Sequence, residues 1–209
     1  MKRVDSTHYL YHWVKADPHM KIRDLDYENA YHTFLQILDF NYLKHGDTIK
    51  TGGERCICFT ESPEYFMHRD KSKYQPFGFK YYKRDIFDLG GRAVIYAPDY
   101  ERPLIHESMM WRYMRHDPLA FSDRTPFGVD FTWEREWRLP EPELSIIDAI
   151  SIIVPNNDYI QRVYKDTQIW LDNNARIMEQ ECDYPAPHPD YLEYIEIIRS
   201  KLITPEQFQ

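Results

Sequence analysis

Glycine is scarce, with 7 residues in 209. No Gly-x-Gly-x-x-Gly run and no phosphate loop ending in Gly-Lys-Ser/Thr is present, which excludes the commonest ways of cradling a nucleotide on a glycine-rich turn. Cysteine is scarcer still, at 3 residues. Cys56 and Cys58 alternate within a strand pattern and point the same way. They lack His or Cys partners at ligand spacing, so we read them as small buried thiols of a reducing cell and expect no bound metal. A His-Glu-x-x-His zinc motif is also missing. The opening Met1-Lys2-Arg3-Val4-Asp5 leads into polar sequence, and no apolar run approaches a membrane span. The expectation is a cytoplasmic protein with no membrane partner. Positive charge is in deficit: 26 Lys and Arg face 34 Asp and Glu, for a net charge of −8. That argues against broad, charge-driven binding to nucleic acid, though a local basic groove remains compatible with it.

Aromatic residues are plentiful. They make up 16% of the chain, 17 of them Tyr, within a hydrophobic content of 43%. Such a chain can bury a core, and Tyr suits walls that are half wet. His8 to Val14 reads as a first strand, and Ala30, Tyr31, Phe34, Leu35, Ile37 and Leu38 fall at helical spacing over Tyr27 to Phe40. Arg55 to Thr60 reads as a strand, and Glu61-Ser62-Pro63-Glu64 as a helix start. Phe77 to Lys80 is a further strand, Tyr82 to Leu89 a short helix, Arg92 to Tyr96 a strand and Glu107 to Arg115 a helix. Ala149 to Val154 is the most apolar strand. Two C-terminal helices follow, from Asn157 toward Met178 and from Tyr191 to Leu202, around a proline-rich linker at 183–189. Strands with helices inserted, but no regular strand–helix alternation, indicate an α+β fold.

The stretch Phe131 to Pro140 alternates strictly. Trp133, Trp137 and Leu139 fall on one side of a strand of that register, and Glu134, Glu136 and Arg138 on the other. Two neighbouring carboxylates on a strand are either a solvated polar face or the wall of a site. Arg138 is expected to pair with one of them.

Taken in order, Tyr11-His12-Trp13, Cys58-Phe59-Thr60-Glu61-Ser62-Pro63, Phe77-Gly78-Phe79, Gly90-Gly91-Arg92, Glu134-Arg135-Glu136-Trp137-Arg138 and Ile152-Ile153-Val154-Pro155 resemble the AbiGi-type abortive-infection proteins of bacteria. More distantly the order is similar to ADP-ribosyltransferase-like proteins, including the DarT-type toxins that modify DNA. The resemblance covers residues 8–155. It implies a split, mostly antiparallel β-sheet of ADP-ribosyltransferase-like type over residues 1–155, with inserted helices, and a C-terminal helical extension over 156–209. It further implies NAD as substrate, Glu136 as the catalytic carboxylate with Glu134 beside it, and His12 on the NAD ribose. Phe59, Thr60 and Ser62 surround the middle-strand position. Tyr11, Thr60, Ser62 and Arg92 complete the cofactor-binding candidates.

The chemistry suits a carboxylate. Breaking the nicotinamide–ribose bond builds positive charge on the sugar, which a fixed anion stabilises in the transition state. The expected function is an NAD-dependent ADP-ribosyltransferase-like toxin or phage-defence effector that modifies nucleic acid or protein, or simply hydrolyses NAD. The alternative is a non-enzymatic antitoxin of the same family that binds a toxin partner. A nuclease using Glu134, Glu136 and a metal is a weaker third reading, because no further acidic ligands stand at readable spacing.

Overall fold

A computed structural model describes residues 7–14, 28–62, 77–122 and 128–205. Pairing starts from β1 (Tyr9–Trp13), whose aromatic and aliphatic residues favour a pleated strand. It runs antiparallel along β4 (Gly78–Tyr82), from Tyr9↔Tyr82 to Trp13↔Gly78. Glycine is required at 78: a Cβ there would stand 2.7 Å from the Trp13 ring and 2.8 Å from the His12 carbonyl oxygen. On its other side β1 meets β3 (Ile57–Thr60) at Tyr11↔Thr60 alone. β3 then pairs fully with β8 (Glu136–Leu139), and β8 with the two-residue edge strand β5 (Arg92–Ala93). At the far edge, β10 (Ser151–Ile153) joins β4 antiparallel, and β11 (Leu202–Ile203) joins β10 in parallel. The result is a mostly antiparallel seven-stranded sheet in the order β11-β10-β4-β1-β3-β8-β5. Two ribbons complete the strands: β2 (Tyr42–Lys44) with β9 (Glu143–Ser145), and β6 (Ile95–Ala97) with β7 (Tyr113–Arg115). The α+β class expected from the sequence is therefore observed.

One face of the sheet is dry. Helix α1 (Glu28–Phe40) buries Ala30, Tyr31, Phe34 and Leu38, the helical stripe read from the sequence. Phe34 stacks obliquely on Phe77 and Phe79 at 5.2 and 5.6 Å. Asn41, left-handed at φ 62, ends the helix, a conformation asparagine tolerates better than most residues. Helix α2 (Lys83–Asp88) follows β4 directly. Helix α3 (Asn157–Cys182) starts on an Asn156 cap that accepts the Tyr159 N–H, and α4 (Pro189–Ser200) starts with proline in its first turn.

The helices expected as an extension after residue 155 share the core of the preceding residues. Val163, Leu171, Ile195, Ile198 and Leu202 belong to one apolar cluster with Leu10, Phe34 and Phe79. Arg162 clamps the Glu28 carboxylate through both Nη atoms at 2.6 and 2.7 Å, and Tyr31 donates to Asp166 at 2.6 Å. Among the described residues, no helix is long and apolar enough to cross a membrane.

Four local expectations need correction. The stretch 131–140 is not one strand: Thr132–Glu134 is a 3-10 turn, Arg135 is left-handed at φ 47, and the strand begins at Glu136. Arg92 to Tyr96 divides into β5 and β6, and Glu107–Arg112 is a 3-10 turn that runs into β7. Cys58 and Cys182 are exposed, Cys56 alone is buried, and all three are free thiols. The helix start read at Glu61–Glu64 lies outside the described residues beyond Ser62.

Candidate functional site

The single pairing between β1 and β3 opens the sheet. A cleft of about 810 Å³ lies where the two strands part, and both strands line it together with β8, α1 and the turn before β8. Register brings three candidate residues into one row. Tyr11 faces Thr60 across β1 and β3, and Thr60 faces Glu136 across β3 and β8. Residues in one cross-strand row project from the same face. His12 follows Tyr11 in β1, so alternation turns its ring toward the opposite face, where it meets the edge of Phe59 at 6.0 Å. Its Nδ1 lies 2.8 Å from the Cys58 carbonyl oxygen, bridging the gap the missing ladder leaves. Tyr11, His12, Thr60, Glu134 and Glu136 all line the cleft.

Glu136 is a buried carboxylate, 8% exposed. Its Oε1 accepts from Arg138 Nε at 2.7 Å, and its backbone N–H donates to the Tyr96 hydroxyl at 3.0 Å. Arg138 is 1% exposed, and its Nη1 also donates to the Trp111 and Tyr113 carbonyls at 2.6 and 2.9 Å. A buried guanidinium satisfied on several sides is rigid, and it fixes the rotamer of the carboxylate it holds. The expected Arg138 pairing is thus with Glu136. The Cys58 thiol is a further hydrogen-bond neighbour of Glu136. Although Cys58 opens onto the cleft, the walls crowd it: burial first, then the Glu136 charge, pushes its pKa up to about 12. Cys56 is pushed up to about 11, mainly by burial. Neither thiol is a nucleophile at neutral pH.

Glu134 reaches the cleft from the 3-10 turn, not from the strand. The turn is held from 70 residues earlier in the chain. The Thr60 hydroxyl donates to the Glu134 carbonyl, the Ser62 hydroxyl to the Trp133 carbonyl, and the Glu61 N–H to the Arg135 carbonyl. Asp130 starts the turn by accepting from both the N–H and the hydroxyl of Thr132. Thr60 and Ser62 therefore act first as posts for the loop that carries Glu134. Ser62 does not line the cleft. Nor does Arg92, whose guanidinium turns to the Phe87 and Gly91 carbonyls and stacks 3.8 Å over the Phe87 ring.

Sequence reading missed Glu61. It is 6% exposed and takes hydrogen bonds from Lys83 Nζ (2.9 Å), Arg135 Nη2 (3.1 Å) and Trp137 Nε1 (2.9 Å). Burial on its own would raise its pKa. The bonds from Lys83 and Trp137 and the charges of Lys83 and Arg135 outweigh burial and hold the carboxyl below the usual glutamate value. No local pattern marks this role, because its partners come from α2, from the end of the turn before β8 and from β8 itself.

Among the described residues, no group of three or more His, Cys, Asp or Glu is arranged to hold a metal ion. Comparison with protein-family models, characterised proteins and solved structures finds no match to this chain.

Proposed function

We propose that the chain is an NAD-dependent ADP-ribosyltransferase-like enzyme, a toxin or phage-defence effector of the abortive-infection kind, acting in the cytoplasm on a nucleic acid or protein acceptor. One observation carries this reading: the row Tyr11–Thr60–Glu136, with His12 beside it, in a cleft at the parting of β1 and β3. The resemblance orders its motif as a His or Arg on the first strand, an aromatic or hydroxyl residue on a middle strand and a Glu on a late strand, around a cleft that binds NAD. Here the three strands that carry those residues are neighbours in the sheet. A cleft of about 810 Å³ is within the usual range for small-molecule sites.

In the proposed reaction the bond between nicotinamide and ribose C1 breaks, and its electron pair leaves with nicotinamide. Positive charge builds on the sugar, and the Glu136 carboxylate, held in place by Arg138, stabilises it. An acceptor O–H or N–H then bonds to C1 and gives its proton to Glu134. Water in the acceptor's place turns the reaction into NAD hydrolysis. His12, whose Nδ1 meets the Cys58 carbonyl, offers its other ring nitrogen to a ribose hydroxyl, and Tyr11, stacked on Trp13, backs the cleft wall.

A second reading, a non-enzymatic antitoxin that binds a toxin partner, is favoured by a different observation. Thr60, Ser62 and Glu136 all spend polar atoms on internal hydrogen bonds. Around the cleft, Phe40, Tyr42, Phe131 and Trp133 are 40–55% exposed, as in a partner surface.

Nicotinamide release from NAD separates the two, measured with and without cellular DNA, RNA and protein. An enzyme releases nicotinamide and loses that activity in Glu136→Gln, and its expression alone arrests growth. A chain that neither binds nor cleaves NAD under any of these conditions overturns the enzymatic reading.

A further inference from the structure

Arg92 was a cleft candidate on sequence, yet its side chain lies outside the cleft, and the cleft chemistry leaves it without a task. It stands on β5, the edge of the seven-stranded sheet, in register with Arg138 of β8. A second arginine comes to the same place. Arg112, from the turn before β7, donates Nε to the carbonyl of Ala93, the residue next to Arg92, at 3.0 Å. Each guanidinium is anchored through one nitrogen to backbone carbonyls, Arg92 through Nη1 to Phe87 and Gly91. The remaining donors of both forks are left for other acceptors.

Both side chains are half-buried, and among the described residues neither forms an ion pair. Four other arginines near this side of the sheet do: Arg84 with Asp88, Arg115 with Asp99, Arg135 with Glu61 and Arg138 with Glu136. Burial and then the Arg92 charge lower the pKa of Arg112. A charge that merely guards an edge strand would extend into water. These two are packed, braced and uncompensated in a chain whose net charge is −8.

We propose that Arg92 and Arg112 form a binding site for a phosphate group on the β5 edge of the sheet. Two guanidinium forks anchored on the Gly91 and Ala93 carbonyls match a tetrahedral oxyanion, which accepts from both and carries enough charge to neutralise the pair. Among the described residues the site is a sheet edge and not an enclosed pocket, so it admits the phosphodiester backbone of a nucleic acid as readily as a free phosphate. This inference does not depend on NAD cleavage, because it concerns a separate pair of residues read by binding alone.

The test is titration of the full chain at low salt with two probes, inorganic pyrophosphate and a single-stranded DNA oligonucleotide of mixed sequence. The variants are Arg92→Gln, Arg112→Gln and Arg112→Lys, with Arg84→Gln as a control of equal charge change. Arg84 is 88% exposed and pairs with Asp88. Thermal melting establishes that each variant is folded. Expected is binding that falls about tenfold or more in each Gln variant, by an intermediate amount in Arg112→Lys, and less than about twofold in the control. If the oligonucleotide is the probe that binds, each Gln variant should also flatten the slope of log K against log salt by about 1. Oligonucleotide binding without pyrophosphate binding identifies a phosphodiester backbone, and the reverse identifies a free phosphate. Absence of binding by either probe, or equal loss in Arg84→Gln, overturns the proposal.

Discussion

The two halves of the sheet are held by different physics. On the β1–β4–β10 side, strands pair along their length, and α1 seals them by packing Tyr31 and Phe34 on Phe77 and Phe79, all fully buried. On the β3–β8–β5 side the interior contains charge: Glu61, Glu136 and Arg138 are each under 9% exposed. The halves meet at one register pair, Tyr11↔Thr60, and the cleft is there. Apolar packing is indifferent to pH and tolerates compensation by neighbours. A buried charge network is intolerant of losing one member, because the partners left behind stay desolvated. The lesson is that the charged half is where the molecule can hold carboxylates rigid and dry, and the apolar half is what they are held against.

The largest effect expected follows from breaking the network at its centre. Arg138→Ala strands Glu136 and two carbonyls, and should cost about 3–5 kcal/mol in urea unfolding while abolishing any NAD cleavage. Phe34→Ala, its counterpart in the apolar half, should cost a similar amount, about 3–5 kcal/mol, by leaving a cavity. The Phe34 deficit should be constant between pH 4 and 8, and a deficit that varies there would blur the contrast between the halves.

Glu61→Gln should cost about 1.5–3 kcal/mol near neutral pH, the worth of charge-assisted hydrogen bonds. The folded-state pKa of Glu61 lies below its unfolded value, so the stability it contributes is present above about pH 4.3 and is lost as pH falls through the folded value. The gap between wild type and Glu61→Gln should therefore close on acidification below about pH 4.3. Segment-resolved hydrogen exchange should show β3 and β8 losing protection before β4 and β10, and simultaneous loss would argue against a separate charged half. The smallest effect belongs to Arg162→Ala. The Arg162–Glu28 fork joins α3 to α1 at the surface, 38% and 50% exposed, and its loss should stay within about 1 kcal/mol.

The apolar half was legible in the sequence because its information is local. The spacing of Ala30, Tyr31, Phe34 and Leu38 specifies a buried helical stripe, and those residues are the ones buried. The charged half was only partly legible. Period two across Phe131 to Pro140 suggested a single strand, but the left-handed Arg135 breaks it. What imposes that break is the Thr60-Glu61-Ser62 segment, whose hydroxyls and N–H bind the turn's carbonyls across the sheet. Long-range pairing of this kind leaves no mark in a short window. The same holds for Glu61, whose partners Lys83, Arg135 and Trp137 are scattered along the chain. Of the candidate site, Tyr11, His12, Thr60, Glu134 and Glu136 converge on one cleft, while Ser62 and Arg92 lie beyond its walls. Strand periodicity places a residue on a face, but only the order of strands in the sheet decides which faces come together.

In the proposed reaction Glu136 acts in the chemical step and not in holding the substrate. The direct measurement is NAD affinity beside single-turnover nicotinamide release, in wild type and in Glu136→Gln, at a temperature where thermal melting shows both to be folded. Expected in Glu136→Gln is a Kd for NAD within about threefold of wild type and release slowed by about 100-fold or more. Affinity and release that fall together, or release that persists in Glu136→Gln, would contradict that role.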